Sequence, residues 1–244
     1  MRRIRILALA GTGALALPAG ASAAAVALDR SCYVAGQPGT IGLFGFAPNA
    51  VVSISSPNLA PGKVMTDATG SLAIPFTPPS GNDVNPPRSR ELVVTATEDA
   101  NPVNRATATS RFAPLAFATD KGTRSPKSKR SWYFSGFATG KNIYGHFRFK
   151  GRTKANYRFG RAAGPCGEYK RRAPGIPVRG RVSPGSWTVQ VDQRRTFSVR
   201  TRPALKTKTV VFTTFRPRAA VGAAALSSSA LTGFYRFGGS WAGV

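Results

Sequence analysis

The stretch KNIYGHFRFKGRTKANYRFGRAAGPCGEYKRR, residues 141–172, decides how this chain reads. Ile143, Phe147 and Phe149 fall on one parity, with Gly145 between them, while Tyr144, His146, Arg148 and Lys150 fall on the other. Successive side chains of a β-strand point to opposite faces, so this parity predicts a strand over 143–150, aromatic side inward and cationic side outward. A second strand is predicted over 154–159, with Tyr157 and Phe159 inward and Arg158 outward. Lys170, Arg171 and Arg172 follow in the next loop. The stretch thus gathers nine cations on or between adjacent strands: Arg148, Lys150, Arg152, Lys154, Arg158, Arg161, Lys170, Arg171 and Arg172. Many of them fall within one Debye length of each other, about 8–10 Å, and an anionic partner would relieve their repulsion.

Outward from that stretch the pattern stays β. Gly (26) and Pro (19) are plentiful, no long helical periodicity follows the N-terminus, and short Val, Thr, Phe and Tyr runs recur between turn clusters. Strands are predicted at 28–34, 40–46, 51–55, 71–77, 91–97 and 105–112 in a first module, 24–117. A polar, basic linker follows over 118–130. A second module, 131–216, adds strands at 132–138, 187–192, 196–201 and 207–215 to the two above, with Trp187, Val189 and Val191 filling the opposite sheet. The run Phe44-Gly45-Phe46-Ala47 is echoed by Ser135-Gly136-Phe137-Ala138, which predicts equivalent turns in two tandem units. Residues 217–244 form an Ala/Ser-rich tail with an aromatic end.

The fold class read from this pattern is all-β: two tandem immunoglobulin-like antiparallel sandwiches. The segment Thr66-Asp67-Ala68-Thr69-Gly70-Ser71-Leu72, leading into Phe76 and Pro78, resembles a hairpin of bacterial immunoglobulin-like domains in exported proteins. Asp99-Ala100-Asn101-Pro102, before the last strand of the first module, resembles them too. The resemblance covers that module and lacks the Cys…Trp…Cys pattern of antibody domains, since Cys32 stands alone there and no Trp is present.

Charge is divided unequally. Residues 24–117 carry six Lys/Arg and six Asp/Glu, whereas 118–216 carry 24 Lys/Arg against Asp120, Glu168 and Asp192, a net of +21. Such asymmetry points to an anionic partner for the second module. The N-terminus reads as a secretory signal peptide over 1–23: Arg2, Arg3 and Arg5, an apolar run to Leu17, then Ala21-Ser22-Ala23 at the cleavage site. Export would release the protein outside the cell. There Cys32 and Cys166 have two readings, a disulfide joining the modules or two buried thiols.

Catalysis is the weakest class. The nine acids are scattered; Glu168 and Asp192 read as surface groups, and a hydrolase would need that pair to converge in a cleft. One histidine, His146, supplies no metal cluster, and no cofactor motif is present. The leading expectation is therefore a secreted, non-enzymatic protein whose basic face binds an anionic polymer: a wall polymer, an acidic polysaccharide or extracellular nucleic acid, or else a membrane surface. A self-assembling surface-layer or appendage protein is the alternative.

Overall fold

Inward and outward side chains alternate along the strands of this protein, and the alternation builds two pairs of sheets in succession. The computed structural model describes residues 23–120 and 125–212, with strands and no helix among them. In chain order the first sandwich comprises β1 (Ala25–Leu28), β2 (Tyr33–Val34), β3 (Gly39–Phe44), β4 (Val51–Ser55), β5 (Gly62–Met65), β6 (Leu72–Phe76), β7 (Arg90–Glu98) and β8 (Arg105–Ala113). The second comprises β9 (Ala116–Thr119), β10 (Lys129–Ser135), β11 (Asn142–Phe149), β12 (Arg152–Arg161), β13 (Tyr169–Pro174), β14 (Gly185–Asp192) and β15 (Leu205–Val211).

Each sandwich pairs a three-stranded sheet with a larger one. In the first, β1-β3-β6 packs on β2-β8-β7-β4-β5; in the second, β9-β10-β13 packs on β12-β11-β14-β15. All strand pairs are antiparallel except β2 with β8. Strand for strand the two orders match, apart from β2, which has no counterpart among the described residues of the second sandwich. The Gly-Phe-Ala repeat marks the same place in both. Gly45 and Gly136 take positive φ just after β3 and β10, as glycine permits at little cost, and turn Phe46 and Phe137 into their cores at 4% and 3% exposure. In each repeat the alanine N–H then donates to a side chain at the end of the equivalent strand: Ala47 to Glu98, the last residue of β7, and Ala138 to Gln193, just after β14.

Two hydrophobic cores result. Leu92, Val94 and Ala96 of β7 bury fully with Leu43 and Val52 in the first. Leu72, Ile74 and Phe76 pack on them from the facing sheet. The second core is aromatic: Trp132 and Phe134 lie 4.7 and 4.8 Å from Phe159, ring centre to ring centre, and Phe147 meets Trp132 edge-on. Such pairs contribute about 0.5–1.5 kcal/mol each beyond the area they bury.

Several expectations are corrected. Residues 28–34 are two short strands rather than one, because the chain crosses from one sheet to the other there. The Asp29 carboxylate pins that crossing by accepting from Thr40 N–H and Tyr33 O–H at 2.9 and 2.7 Å. The second sandwich starts at β9, inside the segment expected to end the first, and residues 120–128 connect β9 to β10 within it. Residues 169–174 form β13 where a loop was expected, since pairing with β10 overrides a run of three like charges. Residues 196–201 form no strand; 193–204 is one loop between β14 and β15. Trp187, Val189 and Val191 are buried, but on the same sheet as Phe147, because β14 pairs with β11. The segments read as signal peptide and tail lie outside the described residues, apart from residue 23.

Cys32, between β1 and β2, and Cys166, between β12 and β13, form a disulfide with Cα atoms 5.3 Å apart. It spans a separation of 134 residues and ties one sandwich to the other. Glu168, two residues further on, accepts a hydrogen bond from Ser89 N–H across the same junction. Removing the cross-link by Cys32→Ser with Cys166→Ser is expected to cost roughly 2–5 kcal/mol, read as a lower denaturant midpoint. An unchanged midpoint would mean that the sandwiches hold one another without it.

Candidate functional site

The outer face of the sheet β12-β11-β14-β15 collects residues from all four strands, because the register sets them side by side. One row runs Arg158–Tyr144–Asp192; the next runs Asn156–His146–Gln190–Lys206; a third runs Thr153–Arg148–Thr188–Lys208. β12 bulges twice against β11, once around Phe159 and once around Lys154. A bulge inserts one extra residue and twists the strand more strongly, so the cations of β12 do not form a single straight row.

The nine predicted cations divide into groups. Arg152, Lys154, Arg158 and Arg172 are exposed and have no ion-pair or hydrogen-bond partner among the described residues. Lys150 is not a strand residue: with Gly151 it makes the two-residue turn between β11 and β12, both at positive φ, the type I′ geometry that matches strand twist. Its ammonium lies over the Phe149 ring, and that of Lys170 over Tyr133. Arg148, Arg161 and Arg171 donate to backbone carbonyls, those of Gly151, Gly140 and Phe159. Arg171 is a brace: it ties β13 of one sheet to β12 of the other along their shared open edge. Alternation separates it from Lys170 and Arg172, which point away on the outer side of β13.

The set also grows. Lys206 and Lys208 join the face through β15, and loop 193–204 carries the exposed Arg194, Arg195 and Arg200, while Arg202 lines a cavity between β9 and β15. Sequence reading missed them because it assigned β14 to the opposite sheet, which removes the 193–204 loop from this face. The alternation of Lys206 and Lys208 was the available signal. The three acids of the second module are all occupied elsewhere. Asp120 accepts from Ser131 N–H, Glu168 from Ser89 N–H, and Asp192 bonds His146. Among the described residues, none of the nine predicted cations lies within 4 Å of a carboxylate, whereas His146 pairs with Asp192.

That pair corrects two expectations. His146 does point to the outer face, but it is fully buried there, as are Asp192 and Gln190 at 0% and 1% exposure. Loop 193–204 roofs them: Phe197 meets the imidazole edge-on and stacks under the Arg148 guanidinium, 4.2 Å away. Gln190 holds the roof by donating to Ser198 O at 2.9 Å. The imidazole bonds Asp192 Oδ1 through Nε2 at 3.1 Å and Asn156 Oδ1 through Nδ1 at 2.7 Å. Two acceptors suit an imidazolium, which donates from both nitrogens. Burial pulls the His146 pKa down, yet its bonds to Asp192 and Asn156 outweigh that and hold it above 6.5. Burial likewise pushes Asp192 up, but His146, Gln190 and the Arg194 N–H keep it below the usual carboxylate range. Glu168, just before β13, and Asp192, at the end of β14, have separate partners, and no group of three or more His, Cys, Asp or Glu able to hold a metal occurs among the described residues.

Two cavities accompany the face. A larger one, about 1030 Å³, opens between the edge strands β9 and β15 and is lined by Phe117, Trp132, Leu205 and Val211. A smaller one, about 470 Å³, lies beside β12.

No family model and no curated protein matches this chain. Solved structures similar to it include a tetra-tandem repeat from the extending region of a large adhesion protein, at 17% identity and a TM-score of 0.27, covering 76% of this chain and 47% of that one. The E. coli alpha-2-macroglobulin is similar at 11% identity and a TM-score of 0.35, covering 75% of this chain and 16% of that one. The YadV chaperone is similar at 12% identity and a TM-score of 0.27, covering 76% and 98%. This chain spans about half of the adhesion-protein repeat and a sixth of the macroglobulin.

The raised His146 pKa carries a sign. The stability it contributes is present below pH 6.5 and is lost as pH rises through the folded-state value. The lowered Asp192 pKa contributes stability that is fully present above its unfolded value, about 4, and is lost as pH falls through the folded-state value. An NMR titration of the only histidine should give a midpoint above 6.5, with thermal stability highest between those limits. Asp192→Ala leaves the imidazole unpaired and is expected to destabilise by on the order of 3 kcal/mol. A midpoint at or below 6.5 would contradict this geometry.

Proposed function

We propose that this is an exported, non-enzymatic protein that holds an anionic polymer on the outer face of β12-β11-β14-β15 and its edge with β13. One observation carries the reading: among the described residues, the head groups of Arg152, Lys154, Arg158 and Arg172 on this face and edge have no ion-pair partner, while the three acids of that module are engaged with backbone N–H groups and the single histidine. Solubility alone needs far less charge than this. Spread over a sheet face, an edge and a loop, the charges suit a polymer, which gains affinity from released counterions without sequence-specific contacts. Wall polymers, acidic polysaccharides and extracellular nucleic acid are the partners of that chemistry. The disulfide supports an oxidising, extracellular setting. The neutral first sandwich then serves as a spacer.

The apolar cavity between β9 and β15 favours a second reading, tandem assembly of copies through those free edges, since unpaired edge strands are templates for pairing. In that case the purified protein self-associates without any polyanion.

Retention of the full-length protein on heparin and on immobilised polyphosphate, measured across salt, separates the two readings. With each phosphate contact contributing roughly −0.9 to the log–log slope, a slope of about −4 or steeper is expected. Replacing Lys150 with Asn, which tolerates the turn, together with Arg152, Arg158 and Arg172 with Ser should flatten it by several units. The brace variant Arg171→Ser should lower stability as well. A slope near zero, with association of the protein alone, would replace polyanion binding with self-assembly.

A further inference from the structure

The smaller cavity lies where β12 passes the loop from β13 to β14, and its polar lining consists of donors. Lys154, Arg179 and Arg181 contribute cations, Asn156 and Ser183 neutral groups, and Trp187 a side chain that is 2% exposed. No carboxylate lines it. Neither arginine, nor Lys154, has an ion-pair or hydrogen-bond partner among the described residues, and both arginines are exposed. The loop is nevertheless held in place: Trp187 Nε1–H donates to Ser183 O at 2.9 Å, and Val182, between the two polar positions, is buried in the core. The volume falls within the range of about 300–1,000 Å³ for ligand pockets and leaves ample room for an anionic group of a longer ligand.

A second observation concerns Asn156, one of the residues that line this cavity. Asn156 Oδ1 is taken by His146 Nδ1 at 2.7 Å, and His146 is held in turn by Asp192 at 3.1 Å. With its oxygen engaged below, the Asn156 amide has only its NH2 end left to offer a ligand. The buried Asp192–His146 pair thus orients a neutral donor beside three cations. A planar carboxylate is met best by the fork of one arginine. Donors arriving from a strand and from a separate loop match an anion with three or more oxygens.

We propose that this cavity is a discrete subsite for a tetrahedral oxyanion, a phosphate or sulfate group, gripped by Lys154, Arg179 and Arg181 and hydrogen-bonded by Asn156 and Ser183. The inference rests on the polyanion reading of the adjoining face and refines it: one charged group of the polymer is seated, while the rest is held by diffuse charge. His146 acts here as a positioning residue, through Asn156.

The test uses the full-length protein titrated with inorganic phosphate and, separately, with inorganic sulfate, followed by calorimetry and by the imidazole resonances of His146. Saturable binding of either ion that shifts those resonances is expected. It should weaken at least tenfold in Arg179→Ser with Arg181→Ser, whose exposed positions leave the melting temperature unchanged, and in Asn156→Asp, which keeps the bond to His146 but turns the free donor into an acceptor. Preference for phosphate assigns a phosphate-bearing polymer, and preference for sulfate a sulfated one. No saturable binding of either ion, with polyphosphate and heparin retention intact, would overturn the subsite and leave the polyanion reading standing. Loss of both would overturn the two together.

Discussion

Burial of aromatic rings on one side of each sheet is what allows the second sandwich to carry its charge. Residues 118–216 have a net of +21, and like charges on neighbouring strands repel. Against that stand Trp132, Phe134, Phe147, Phe159 and Trp187, each at most 3% exposed. Fully burying one large apolar side chain contributes about 1.5–3 kcal/mol, so the rings together outweigh the repulsion of screened surface charges. The pleat keeps the two populations apart. It sends the rings inward and the cations outward along the same strands, and the face therefore exists only as the reverse side of the core.

Loop 193–204 changes what that face is. Without it, His146, Gln190 and Asp192 would be a polar row in water; beneath it they form a small dry layer outside the sheet. Phe197 and Arg148 stack on top, and Gln190 and Asp192 hold the loop from below. The imidazolium–carboxylate pair is stabilised there because both imidazole nitrogens and both carboxylate oxygens are hydrogen-bonded. The loop also carries the exposed Arg194, Arg195 and Arg200, which links a buried ion pair to the presentation of surface charge.

The tandem relation of the sandwiches is structural as well as sequential. Gly45 and Gly136, Phe46 and Phe137, Ala47 and Ala138 occupy matching places, and Gly70 and Gly167 match too: a Cβ at either would overlap the carbonyl oxygen of the paired Phe. The shared scaffolding thus carries a neutral surface in one unit and a strongly basic one in the other. The disulfide then sets one unit against the other at the junction where Glu168 also reaches Ser89.

Much of this was legible in the sequence, because period-2 alternation and turn chemistry are local. The parity of Ile143, Phe147 and Phe149 against Tyr144, His146, Arg148 and Lys150, the burial of Leu92, Val94 and Ala96, and the repeated Gly-Phe-Ala turn all follow from neighbouring residues. The sign of the charge follows from counting. Tertiary structure alone decided which strands share a sheet, and with that which cations share a face: β14 beside β11 brings in Lys206, Lys208 and the arginine-bearing loop. It also decided that Cys32 pairs with Cys166, that Arg171 braces an edge rather than waiting for a ligand, and that His146 is buried although it points outward. Each of these depends on groups distant in sequence meeting in space, and parity along a strand records only which side a residue takes, not what covers that side.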